Sequence, residues 1–156
     1  MPTNVLISFD DSENAMRAVN FVAGHFKPEA SVTLFSVLLD TEAMCDMNSP
    51  ELTPYFKREQ QNFCSLEDKK NQLIEKAAQT ARNSLIAAGF HSGQVHIKAQ
   101  KRLRGVARDI IQEADSGYDV VVIGKKGVSA LKEFFLGNVS QKVLQGVKTA
   151  SVLAVS

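Results

Sequence analysis

The pattern of apolar and polar positions alternates between two kinds of segment along the chain. Val5-Leu6-Ile7-Ser8-Phe9 is a short, nearly continuous apolar run, as expected of a strand buried on both faces of a parallel sheet. It stops at Asp10-Asp11-Ser12, residue types that cap helices well. Ala15, Met16, Val19, Val22 and Phe26 then recur at helical spacing until Lys27-Pro28 breaks the pattern. Residues 31–39 predict a second buried strand. The stretch from Asp40 to about Glu59, with Pro50 and Pro54, reads as an irregular connection into a long helix. In that helix Phe63, Leu66, Leu73, Ile74, Ala77, Ala81 and Leu85 keep a helical period up to Gly89. Val95, Ile97 and Ala99 alternate with polar neighbours, which predicts a strand with one less buried face. Val106, Ala107, Ile110, Ile111 and Ala114 mark a third helix, and Val120-Val121-Val122-Ile123 is the clearest buried strand. A glycine-punctuated loop, a fourth helix through Val139, Val143, Leu144 and Val147, and a last strand over 150–155 complete the chain.

Strands alternating with helices predict an α/β fold: one domain over residues 1–156, with a five-stranded parallel sheet and helices on both faces. Such sheets bind ligands beyond the carboxyl ends of their strands, where the strand order switches. Two segments fall there, the Asp10-Asp11-Ser12 turn after the first strand and the glycine loop after the fourth.

With 156 residues the chain is long enough to bury a full core without a metal or disulfide staple. Eighteen Lys and Arg against seventeen Asp and Glu leave a net charge of +1, which argues against a general nucleic-acid coat or a membrane-surface binder. No apolar run approaches the length of a membrane span, and the N-terminus has no basic region of a secretion signal. Cys45 and Cys64 have no CxxC or His companion, which predicts plain thiols in a reducing compartment. These readings together place the protein in the cytoplasm, with no nucleic-acid or membrane partner.

The candidate chemistry lies in the loop from Ile123 to Ser140. Gly124 and Gly127 lack a Cβ, so backbone can approach a ligand closely. Gly137 precedes a helix N-terminus whose free N–H groups and dipole attract phosphate. Asn138 and Ser140 add donors, and Lys125 or Lys126 adds positive charge. The loop has neither the spacing of a P-loop nor that of the dinucleotide fingerprint.

The spacing Gly124-x2-Gly127-x9-Gly137 is similar to the nucleotide-binding signature of the universal stress protein family, and Val5 to Ala15 resembles that family's first strand, Asp-x-Ser turn and helix start. The run Leu131 to Ser140 resembles its entry into the last helix. The likeness covers the whole chain in element order. It implies a Rossmann-like, adenine nucleotide α-hydrolase-like fold that binds ATP, or ADP or AMP, with Mg2+ accompanying ATP. It also implies a homodimer paired through the last strand, Ser151-Val152-Leu153-Ala154-Val155. Residue by residue, it assigns Asp10 to the adenosine moiety, Val37 to adenine through its backbone, Gly124, Gly127 and Gly137 to the phosphate loop, and Val139-Ser140 to the helix start; Ile123, Lys126 and Asn138 join them as candidate binding residues.

The chain departs from that pattern at three places. Asn138 stands where the family continues with Ser or Thr; Ala150-Ser151 replaces a common Pro; and Lys101-Arg102-Leu103-Arg104 is basic where the family is small or glycine-containing. The arginines and lysine read as a solvated cluster or as reaching an anion. His25, His91 and His96 lie far apart, with no metal or catalytic companion. No nucleophile–base pairing is evident, so slow hydrolysis or none is expected. Met44, Met47, Phe56 and Phe63 are expected to cover a core or a dimer surface. The leading expectation is an ATP-binding stress-response protein acting through ligand-dependent conformation or association; the alternative is a dimeric interaction module of the same fold without nucleotide.

Overall fold

The computed structural model describes residues 2–40, 45, 53–125 and 138–156. Five strands, β1 (Asn4–Ser8), β2 (Ser31–Leu38), β3 (Val95–Lys101), β4 (Val120–Gly124) and β5 (Ser151–Val155), form one sheet of order β3-β2-β1-β4-β5. Every neighbouring pair is parallel. Among the described residues the α-helices between them are α1 (Glu13–His25), α2 (Pro54–Ala87), α3 (Val106–Ala114) and α4 (Asn138–Gly146). The α/β fold expected from the pattern is therefore the one observed.

Strand alternation divides the core in two. Val5, Ile7, Val32, Leu34 and Val122 face α1 and α2, where Val19, Val22, Ala78, Ala81 and Leu85 meet them. Leu6, Phe35, Val121 and Ile123 face α3 and α4, packing on Ala107, Ile110, Ala114 and Val143. β1 and β4 are central and sealed on both sides, which is why their sequences are uninterrupted apolar runs. β3 lies at an edge and is largely exposed, matching its alternating pattern.

Polar side chains tie the layers together. Lys98 on β3 donates to both carboxylate oxygens of Glu113 on α3, at 2.9 and 2.8 Å, and the Tyr118 hydroxyl donates to the same carboxylate at 3.0 Å. The hydrogen bond to Glu113 raises the Lys98 ammonium above its ordinary pKa of 10.5. Burial raises the Tyr118 phenol.

Two sequence expectations need correction. The connection after β2 ends earlier than Glu59: α2 starts at Pro54, whose ring suits the first helical position, and the Thr53 side chain accepts from Phe56 N–H. The cysteines are not plain thiols. Cys45 and Cys64 are joined as a disulfide across Cα atoms 6.0 Å apart, well within the range such a bond spans. Their separation along the chain, without a CxxC spacing, concealed a pairing that tertiary folding creates. Met44 and Met47 lie outside the described residues.

Asp115, after α3, accepts from Lys148 N–H, Thr149 N–H and the Thr149 hydroxyl, each at 3.0 Å, and so fixes the approach to β5. The Thr149 and Lys148 amides hold its pKa below the ordinary 3.8. A carboxylate with a lowered folded pKa stabilises the protein above its unfolded pKa, and that contribution is lost as pH falls through the folded value. Asp115→Asn is therefore expected to lower the urea midpoint at about pH 7, with the gap to wild type narrowing as pH falls below the ordinary 3.8; a gap independent of pH contradicts this role.

Candidate functional site

The strand order reverses between β1 and β4. α1 leaves β1 toward one face of the sheet and α4 follows β4 on the other, so a crevice opens between the two carboxyl ends. β1 ends at Ser8 and Phe9. The Asp10 carboxylate accepts from Ser12 N–H at 2.8 Å, and the Ser12 hydroxyl accepts from Ala15 N–H at 3.2 Å as the N-cap of α1. Asp10 is thus held in a fixed turn at the mouth of the crevice, half-buried, with Asp11 beside it exposed.

β2 runs further than β1. Their register pairs Ser8 with Phe35, and Phe9 N–H donates to the Phe35 carbonyl at 2.8 Å. Backbone groups of alternate residues point to the same side of a strand. Those of Val37 therefore turn toward β1 but beyond its end, into the crevice. Leu38, pointing the other way, accepts from Arg102 N–H at 2.8 Å. The neighbouring Ser36 is only 2% exposed, and its hydroxyl has no hydrogen-bond partner among the described residues.

Across the crevice, Gly124 closes β4. Its φ is not in the left-handed region; what it lacks is room. A Cβ there would lie 2.9 Å from both the Cβ and the carbonyl oxygen of Asn14. The close approach that requires glycine is thus made by the first turn of α1, a contact that no local signal in either segment announces. Ile123 is buried beneath it. Lys125 N–H donates to the Val155 carbonyl at 2.8 Å, and its residue is exposed.

α4 is described from Asn138 onward. Asn138 and Val139 are exposed, whereas Ser140 is buried, and its hydroxyl donates to the Gly124 carbonyl at 2.7 Å. That bond braces the helix start against β4. Lys126, Gly127 and Gly137 lie outside the described residues.

The basic segment after β3 has an organiser that the pattern analysis missed. Asp109, in the first turn of α3 and 1% exposed, accepts from Leu103 N–H at 2.8 Å and Arg104 N–H at 3.1 Å. Gly105, at φ +141°, permits the sharp entry into α3. Lys101, Arg102 and Arg104 are all exposed on the carboxyl side of the sheet. An Asp at helical spacing among apolar residues looks like an ordinary first-turn acid, so only the fold reveals its burial.

A parallel sheet with this order, helices on both faces and a crevice at the strand switch defines a Rossmann-like α/β protein. The chain matches the model of the universal stress protein family over residues 1–156, and it belongs to that family. It is 27% identical to the universal stress protein YxiE of Bacillus subtilis (strain 168), over 99% of each chain. Among solved structures it resembles UspA from Lactobacillus plantarum, with a TM-score of 0.70, 18% identity and coverage of 99% of this chain and 97% of that one. A universal stress protein solved in complex with cAMP matches with a TM-score of 0.63, 17% identity and coverage of 99% and 96%.

The Gly124–Asn14 contact has a direct test. Gly124→Ala places a methyl group against backbone and is expected to destabilise by about 1–3 kcal/mol, the usual cost of overpacking, in urea unfolding. Unchanged stability would show that α1 yields freely there.

Proposed function

We propose that this chain is a nucleotide-binding universal stress protein that takes ATP, or another adenine nucleotide, in the crevice between β1 and β4. The observation that carries the reading is the placement of three different groups at the strand switch: the Asp10 carboxylate, the outward backbone of Val37 and the exposed Asn138 and Val139 of α4. A carboxylate suits ribose hydroxyls or the adenine amine, a strand backbone suits the edge of adenine, and helix-start amides suit phosphate oxygens. The cAMP bound by a structural relative supports an adenine ligand. Gly124, Lys126, Gly127 and Gly137 complete the phosphate loop in this reading, above buried Ile123. Asn138 and Val139 present the helix start, and Ser140 acts as its brace, since its hydroxyl hydrogen is already donated to Gly124. Mg2+ enters with ATP as the counter-ion of the triphosphate.

Turnover is slow or absent, and the protein acts through ligand-dependent conformation or association. β5 ends the sheet, with β4 its neighbour on the inner side. An unpaired edge of this kind favours antiparallel pairing with a second copy, giving a homodimer. Its setting is the cytoplasm, where reducing thiols would reach the Cys45–Cys64 bond. The commitment of Ser140 to Gly124, together with Asn138 in place of Ser or Thr, favours a second reading: a dimeric scaffold of the same fold without nucleotide.

Calorimetric titration with ATP, ADP, AMP and cAMP separates the two. Binding is expected, weakened about tenfold or more by Asp10→Ala through loss of a charge-assisted hydrogen bond, with folding checked by thermal melting. No heat with any of the four supports the scaffold instead. Light scattering is expected to give at least a dimer at about 10 µM; a monomer contradicts pairing through β5.

A further inference from the structure

α2 is far longer than the sheet it covers. It has 34 residues, yet its buried ones are Ile74, Ala78, Ala81 and Leu85. Asn71 marks where the sheet ends: its side chain accepts from Leu39 N–H at 3.4 Å and donates to the Leu39 carbonyl at 3.3 Å, just past β2. The helix before Asn71 therefore projects beyond the carboxyl edge, by about 25 Å at 1.5 Å per residue.

An apolar stripe runs along this projection and into the turn just past Asn71. Phe56, Phe63, Leu66 and Leu73 are 57%, 42%, 65% and 56% exposed. They occupy the a and d positions of a heptad whose two remaining a/d sites are Lys70 and Glu59. The stripe lies to one side of the face that α2 turns toward the sheet, which is why a single helical period appeared to include Phe63, Leu66 and Leu73 with the core.

We propose that this stripe pairs antiparallel with the same stripe of a second copy of the chain. The pattern is self-complementary in one register. Phe56 meets the partner's Leu73, Phe63 meets the partner's Leu66, and Glu59 meets the partner's Lys70. On the exposed flank, Lys69 lies beside the partner's Asn62, so no like charges face each other there. A parallel pair would instead set Glu59 against the partner's Glu59 and Lys70 against the partner's Lys70, which is repulsive. In this register Pro54, at the end of each helix, lies opposite the partner's Glu75, one turn past Asn71.

The eight apolar side chains bury on the order of 1,000 Å², below the usual size of a stable interface, so the pairing is weak and concentration-dependent. It uses the β3 side of the molecule and shares no residue with β5 or with the nucleotide crevice. It therefore stands or falls apart from the proposed function.

A zero-length carbodiimide cross-linker, applied to wild type at about 200 µM, tests it. Glu59 and Lys70 are eleven residues apart on one helix, about 16 Å, so a bond between them arises only between copies. A Glu59–Lys70 cross-linked peptide is expected in the mass spectrum, and the weight-average mass in sedimentation is expected to rise with concentration. Leu66→Glu and Glu59→Lys, both at exposed sites, are each expected to weaken the association about tenfold or more and to remove the cross-link. The double exchange Glu59→Lys/Lys70→Glu is expected to restore both to within about twofold. Absence of the wild-type cross-link, or association indifferent to Leu66→Glu, overturns the proposal, whatever else then covers the stripe.

Discussion

The reversal of strand order between β1 and β4 is the constraint on which the molecule's functional geometry depends. It sends α1 and α4 to opposite faces, and it leaves the carboxyl ends of two central strands without a helix lying across them. Gly124 is the joint of that arrangement. Because it has no side chain, the first turn of α1 can lie against the end of β4. The turn that holds Asp10 and the start of α4 are thereby set on either side of one opening. Ser140, bonded to the Gly124 carbonyl, ties α4 to the same point.

At three separate loops, buried or anchored carboxylates do the positioning. Asp10 shapes its own turn, Asp109 gathers two amides of the basic segment, and Asp115 holds the approach to β5. Each satisfies backbone N–H groups that would otherwise be left unpaired at a loop. Asp10 and Asp109 thus fix two loop backbones at the carboxyl edge among the described residues, and Asp115 fixes one at the amino edge. That amino edge carries a groove of about 690 Å³ beside His25, Lys27, Glu29 and Gln94, but the strand switch brings no such set of groups to it.

Much of this was legible in the amino-acid order. Continuous apolar runs marked β1 and β4 because both their faces are covered, and the alternation in β3 marked an edge strand. The Asp10-Asp11-Ser12 turn was readable from capping chemistry, which acts over three or four residues. The contacts that escaped were those between distant segments. Gly124 read as a ligand-approach glycine, whereas its nearest neighbour is Asn14. Asp109 read as one acid among many, and Cys45 and Cys64 as separate thiols. The long helix was visible, but its two faces were merged, because heptad and core positions both recur every three or four residues. Only the anchor at Asn71 shows which part of α2 leaves the sheet.

Amide resonances followed during an ATP titration report where on the sheet the nucleotide proposed for the β1–β4 switch is held. Shifts are expected to concentrate at Asp10 to Ser12, Val37, Lys125 and Asn138 to Ser140. Shifts centred instead on His25, Lys27 and Gln94 at the amino edge, or none at saturating ATP, would contradict that placement.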